Sequence, residues 1–216
     1  MIFTDIKKRI NTSIVLFLLI FLIYSFPMML VYSLIILGVY SILEFLNISK
    51  KIFKNKFNLI LFNLFFIIFI SIYCIMFFFF SNFLQFKIIL FILLLGCVAS
   101  DIGGFTFGKL FKGPRLTKIS PNKTIFGAIG SIIFTILVVS GLFFYSTMIF
   151  EYKILIIALI TSVACQLGDL FFSFLKRIAK LKDTGNILPG HGGILDRLDG
   201  IFFGIPLGFI ALIILY

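Results

Sequence analysis

Seven apolar stretches follow one another along the chain, most of them about as long as a bilayer is thick, with short polar breaks between them. A hydrocarbon core about 30 Å across takes roughly 20 helical residues, and only helices or closed barrels satisfy their backbone hydrogen bonds inside it. The stretches are continuous and lack the period-two alternation of barrel strands. The pattern therefore predicts an all-α, polytopic membrane protein of about seven transmembrane helices. The spans fall at about 12–26, 28–47, 58–79, 84–107, 125–145, 152–174 and 199–216. The first is short, Pro27 marks either a tight hairpin or a kink after it, and a count of six or eight stays compatible with the pattern.

Composition agrees. Of 216 residues 62% are hydrophobic and 12% charged, against about 45–50% and about 25% in soluble domains. A soluble enzyme, a secreted disulfide scaffold and a disordered regulator are excluded. Cys74, Cys97 and Cys165 each sit in an apolar run without paired spacing, and read as small buried hydrophobes. Lys7, Lys8 and Arg9 before an apolar run mimic a secretory signal, but no small-residue cleavage site follows, so a retained first span is expected.

The net charge of +11 would suggest nucleic acid on a soluble chain. Here the basic residues lie between apolar blocks, which points to membrane topology and anionic lipid, with no nucleic-acid partner. With the N-terminus in the cytoplasm, all but two of the 19 Lys and Arg residues fall inside, the exceptions being Lys87 and Lys153. The expectation is a multi-pass protein of the inner (plasma) membrane. Residues 1–94 form N-terminal transmembrane helices, and 95–216 form a catalytic region with two long cytoplasmic loops, 108–124 and 175–198.

The chain has eight acids: Asp5, Glu44, Asp101, Glu151, Asp169, Asp183, Asp196 and Asp199. Asp101 and Asp169 lie inside apolar runs near their expected cytoplasmic ends. A carboxylate at the centre of a span costs at least about 2.5–3.5 kcal/mol, so each is a functional candidate. Asp183, Asp196 and Asp199 crowd the last loop, among the densest Lys and Arg clusters. A set of structural ion pairs is the plain alternative. Carboxylates among lysines and arginines do not suit a soft metal, and one His with scattered Cys excludes a standard zinc site. Oxygen ligands beside cations suit Mg²⁺ bound together with substrate phosphates, which points to a membrane enzyme of phosphoryl or nucleotidyl transfer, its polar site facing the cytoplasm. Spacing adds that Asp196 and Asp199, and Gln166 and Asp169, are i, i+3 pairs that share a helix face. Gly190, Gly192 and Gly193 around His191 form either an anion-binding loop or a plain turn.

The string from Ser173 to Asp199 sharpens this. It runs Ser173, two residues, Lys176-Arg177, four residues, Lys182-Asp183, then Leu188-Pro189-Gly190-His191-Gly192-Gly193 and Asp196-Arg197-Leu198-Asp199. It resembles the signature of the phosphatidate cytidylyltransferases (CDP-diacylglycerol synthases), with every fixed position filled. Ser120-Pro121-Asn122-Lys123-Thr124, Asp101 with Phe107-Gly108-Lys109, and Gln166-Leu167-Gly168-Asp169 resemble further segments of that family. Glu44-Phe45 falls where its second helix carries an acid and an aromatic. After Lys123-Thr124 the family has Trp-Glu-Gly where this chain has Ile125-Phe126-Gly127, and Ile102 replaces a Thr.

The resemblance implies the reaction of CTP with phosphatidate to give CDP-diacylglycerol and pyrophosphate. It assigns Asp169, Asp196 and Asp199 to Mg²⁺, with a second cation left open. Lys176, Arg177, Lys182 and Arg197 would hold phosphates, with Lys123 and Ser120 from the other loop. Asp101 and Asp183 would orient these cations or touch the nucleotide, and His191 would serve either a phosphate or its own loop. Catalysis would centre on Asp169, Asp196, Asp199, Lys176 and Arg177; the sequence leaves the oligomeric state open, a homodimer included. Rival readings are a cytidylyltransferase for another lipid phosphate, an inactive homologue, and an ion-coupled transporter with Asp101 and Asp169 as relay.

Overall fold

The computed structural model describes residues 18, 20–185, 187 and 192–216. The order is α1 (Pro27–Ile52), α2 (Lys56–Ser81), α3 (Leu84–Phe111), α4 (Ile125–Thr147), α5 (Tyr152–Ile178), the single turn α6 (Leu195–Leu198) and α7 (Ile201–Leu215). Residues 20–25 are helical as well. Five of these helices, and the stretch Leu195–Leu215, are each long and apolar enough to cross a membrane. Of the span expected at 12–26, residues 12–17 and 19 lie outside the described residues. Among the described residues the secondary structure is helical apart from isolated bridge positions, so the all-α expectation holds. Pro27 occupies the first turn of α1, where its missing N–H costs nothing, and the extended Phe26 before it breaks the helix between residues 20–25 and α1.

Several helices run past the expected ends of the spans. α1 carries Lys50 and Lys51 in its last turn, α3 carries Lys109, and α5 carries Lys176 and Arg177. Hydropathy stops where lipid stops, whereas the helix continues, because cations at its C-terminal end meet the negative end of the macrodipole.

The chain forms two compact units. One holds the residues up to Phe79 together with 175–197, and the other holds 80–174 and 198–216. In the first, α1 packs on α2 through Phe45 stacked on Phe66 with ring centroids 3.7 Å apart, and Ser49 Oγ donates to Asn63 Oδ1 at 2.6 Å. In the second, α3 packs on α4 through glycines. A Cβ built on Gly103 would overlap the carbonyl oxygen of Gly130 and stand 2.7 Å from Phe134 Cβ, and one on Gly127 would stand 2.8 Å from the Gly104 oxygen. Lipid tails do not drive apolar helices together, so this close backbone approach supplies dispersion contact in their place. Ser131 Oγ donates to the Ser100 oxygen (2.7 Å), and Thr135 Oγ1 lies 3.3 Å from the Gly96 oxygen, extending the same seam. α7 fits against α3 and α5 by the same device, with Gly204 beside Cys97 and Cys165, and Gly208 beside Leu93.

Candidate functional site

The chain from 112 to 124 turns back on itself before α4. Leu116 N donates to the Lys123 oxygen (2.7 Å), Ile125 N to the Pro114 oxygen (3.0 Å), and Thr124 Oγ1 caps α4 by accepting from Gly127 N (3.1 Å). These bonds hold Ser120, Asn122 and Lys123 at the mouth of a cavity of about 300 Å³. Ser100, Asp101 and Phe105 of α3 line it, with Gly127 and Ser131 of α4 and Gln166 and Asp169 of α5. Lys123 Nζ lies 2.6 Å from Asp169 Oδ2, with both side chains about three-quarters buried. Gln166 Nε2 donates to the Ala128 oxygen at 3.2 Å and ties α5 to α4 one turn before Asp169. Asp199 is buried, and its Oδ1 accepts from Gly200 N at 2.9 Å. Its backbone carbonyl lies so close to Gly168 that a Cβ there would come within 2.5 Å. The glycine preceding Asp169 is thus what lets Asp199 approach it.

The other unit holds a second acid–base cluster. Lys176 Nζ lies 2.6 Å from Asp196 Oδ1, with side chains only 12% and 9% exposed. Asp196 Oδ2 accepts from Thr184 N (2.8 Å) and Gly193 N (3.0 Å), and Thr184 Oγ1 lies 3.0 Å away. Gly192, at φ +81°, has Asp196 and Asp183 beside it, and the left-handed backbone there favours glycine. Arg177, Lys182, Asp183 and Arg197 are exposed. Buried Glu44 on α1 accepts from Thr184 Oγ1 (2.7 Å), Ile194 N (3.0 Å) and Leu195 N (2.8 Å).

Asp101, Ser120, Lys123 and Asp169 therefore line one cavity, and Asp199 packs beside the residue preceding Asp169. Lys176, Asp183 and Asp196 gather in the other unit, and His191 lies outside the described residues. Among the described residues no three of His, Cys, Asp and Glu stand together as a ready-made metal group. The donors around the cavity nevertheless fit Mg²⁺. They are hard oxygens, two of them carboxylates, and Mg²⁺ is ordinarily held by one or two carboxylates with water and substrate phosphates completing its shell. Sequence reasoning missed Ser100, Asn122 and Ser131 as cavity walls, although Ser100 precedes Asp101 and Asn122 lies inside the Ser-Pro-Asn-Lys-Thr string. It also missed Thr184, for which the sequence offers no signal.

Fold and site define a class: an α-helical, multi-pass membrane protein with a lysine–aspartate pair in each of its two units, one of them lining a cavity. The sequence model described as the cytidylyltransferase family matches residues 4–215, so the chain belongs to that family. It is 46% identical over 116 residues to a phosphatidate cytidylyltransferase of Staphylococcus haemolyticus, covering 53% of this chain and 45% of that protein. A phosphatidate cytidylyltransferase of Helicobacter pylori is 44% identical over 129 residues, covering 56% and 45%. One of Mycobacterium leprae is 42% identical over 114 residues, covering 51% and 36%. The chain thus matches less than half the length of each of these curated relatives.

Proposed function

We propose that the chain is a cytidylyltransferase that joins CTP to phosphatidate, giving CDP-diacylglycerol and pyrophosphate, in the inner membrane with its site facing the cytoplasm. The observation that carries this reading is the duplication of one arrangement: a lysine 2.6 Å from an aspartate in each unit, Lys123 with Asp169 and Lys176 with Asp196. A lysine so placed neutralises its carboxylate and is ready for an incoming phosphate. The carboxylate it releases is a hard oxygen ligand. This pairing suits a reaction whose two substrates are both anions.

A phosphatidate oxygen forms a bond to the α-phosphorus of CTP, the bond from that phosphorus to the β-phosphate oxygen breaks, and pyrophosphate leaves. The nucleophile is already ionised, so the chain needs no base; it must overcome repulsion and align the reactants. Lys123 and Ser120, carried on the hydrogen-bonded turn before α4, hold phosphate at the cavity. Lys176, Arg177, Lys182 and Arg197 bind phosphate within their own unit, with Asp183 orienting the cations there and Asp101 orienting Lys123 at the cavity. Asp169, Asp196 and Asp199 are the carboxylates assigned to Mg²⁺, with a second cation left open. Held by these carboxylates, Mg²⁺ would supply positive charge to offset that on the phosphates. The cytoplasmic face rests on the lysines and arginines that close α1, α3 and α5.

The test is pyrophosphate release by the purified protein with CTP and phosphatidate, with and without Mg²⁺, and mass spectrometry of the lipid product. CDP-diacylglycerol formed only with Mg²⁺ is expected. Ion flux in liposomes without pyrophosphate release would overturn the reading.

A further inference from the structure

Glu44 stands apart from both acid–lysine pairs. It is 3% exposed, lies mid-chain on α1, and is separated from its partners by 140 to 151 residues of sequence. A buried carboxylate survives only where donors replace water. Here the donors are Ile194 N on Oε1, and Leu195 N with the Thr184 hydroxyl on Oε2. Among the described residues none of its partners is a cation, which sets Glu44 apart from the pairing described above. Gly185 and Gly193 close over it: a Cβ on Gly185 would stand 2.6 Å from Oε1, and one on Gly193 2.7 Å from the same oxygen.

One of these partners, Thr184, also shapes Asp196. Thr184 donates its hydroxyl to Glu44 and its N–H to Asp196 Oδ2, while Gly193, immediately before Ile194, donates its N–H to the same Oδ2. The shorter hydroxyl contact, 2.7 Å against 3.0 Å, gives the single hydroxyl proton to Glu44. Thr184 is therefore held from both sides, and its orientation toward Asp196 depends on Glu44.

We infer that Glu44 is a positioning residue for the proposed transfer, a clasp on α1 that fastens Thr184 and Ile194–Leu195 and so fixes the Asp196 carboxylate against Lys176. This rests on the cytidylyltransferase reading for its kinetic consequence but not for its structural one, and the experiment separates the two.

Glu44→Gln keeps the volume but turns an NH₂ group toward donors that need an acceptor. Hydrogen exchange of the whole purified protein in detergent, resolved to single amides, is compared for wild type and Glu44→Gln. Exchange about tenfold faster or more is expected at Ile194 and Leu195, which lose a charged acceptor, and also at Thr184 and Gly193, whose N–H groups bond Asp196 and never touch Glu44. A merely local anchor would move only Ile194 and Leu195, and that result overturns the inference whether or not the protein turns over CTP. In pyrophosphate release, kcat is expected to fall about ten- to a hundredfold. Thr184→Val should fall in the same direction, and the double variant should be no worse than Glu44→Gln alone, because both act along one chain of contacts. Multiplying losses would refute transmission through Thr184. Should the wild type release no pyrophosphate, the proposed function fails, while the exchange pattern still decides the clasp.

Discussion

The glycine seam between α3 and α4 sets the cavity's width, and its strength can be calculated from the contacts. At Gly103 an added Cβ would overlap the Gly130 carbonyl oxygen and stand 2.7 Å from Phe134 Cβ and 2.9 Å from the Gly130 carbonyl carbon. Carbon atoms in good contact sit about 3.5–4.0 Å apart, so the helices would have to separate by roughly 1 Å. Two of the three obstructing atoms are backbone and cannot rotate away. Overpacking of this kind costs about 1–3 kcal/mol, and each kcal/mol shifts Tm by about 2–4 °C at this chain length. Gly103→Ala should therefore melt about 4–8 °C below wild type for a cost near 2 kcal/mol, in detergent, followed by the thermal shift of a thiol-reactive or intrinsic fluorescence signal. α3 brings Asp101 and Phe105 to the cavity while α4 brings Gly127 and Ser131, so the same separation should reduce turnover about a hundredfold. Gly141, also on α4, supplies the control, since nothing lies within 4 Å of a Cβ built there. Gly141→Ala removes a flexible residue from a helix interior, a gain of about 0.5–1 kcal/mol, and should melt at or slightly above wild type. A Gly103→Ala protein as stable as Gly141→Ala would show that the two backbones are not in contact, and the derivation of the cavity from the seam would fail.

Asp169→Asn should separate stability from activity: its ion pair with Lys123 is about a quarter exposed and is worth at most about 1 kcal/mol, yet turnover should drop by more than about a hundredfold in the pyrophosphate assay. Asp196→Asn should abolish cytidylyl transfer while the protein still inserts into membranes. It should also destabilise more than Asp169→Asn in a melting comparison, because Lys176 and two backbone N–H groups lose a charged acceptor. Chelation of divalent cations should eliminate product formation, and Mg²⁺ added back should restore it, whereas Zn²⁺ should not, because the cavity offers only hard oxygen donors.

Length and periodicity alone made the helices legible, because a bilayer demands continuous apolar runs and leaves little else to decide. Their ends were less so. Lys109, Lys176 and Arg177 look like the start of loops, yet each is the last turn of a helix, since a span's apolar length and its helical length answer to different solvents. The charged part of the site was equally plain: acids in or beside apolar runs are costly enough that each stands out singly. Which cation meets which acid was not. Lys123 and Asp169 are 46 residues apart, and only the turn that Leu116 and Lys123 close brings the ammonium to α5. Glu44 marks the limit of such reading. Its partners at Ile194 and Leu195 are backbone N–H groups, which every residue except proline possesses, so no choice of side chain announces them. Charges that meet substrate must be of particular types and leave a trace in sequence; amides that hold those charges in place need only a backbone path, and three-dimensional packing alone reveals them.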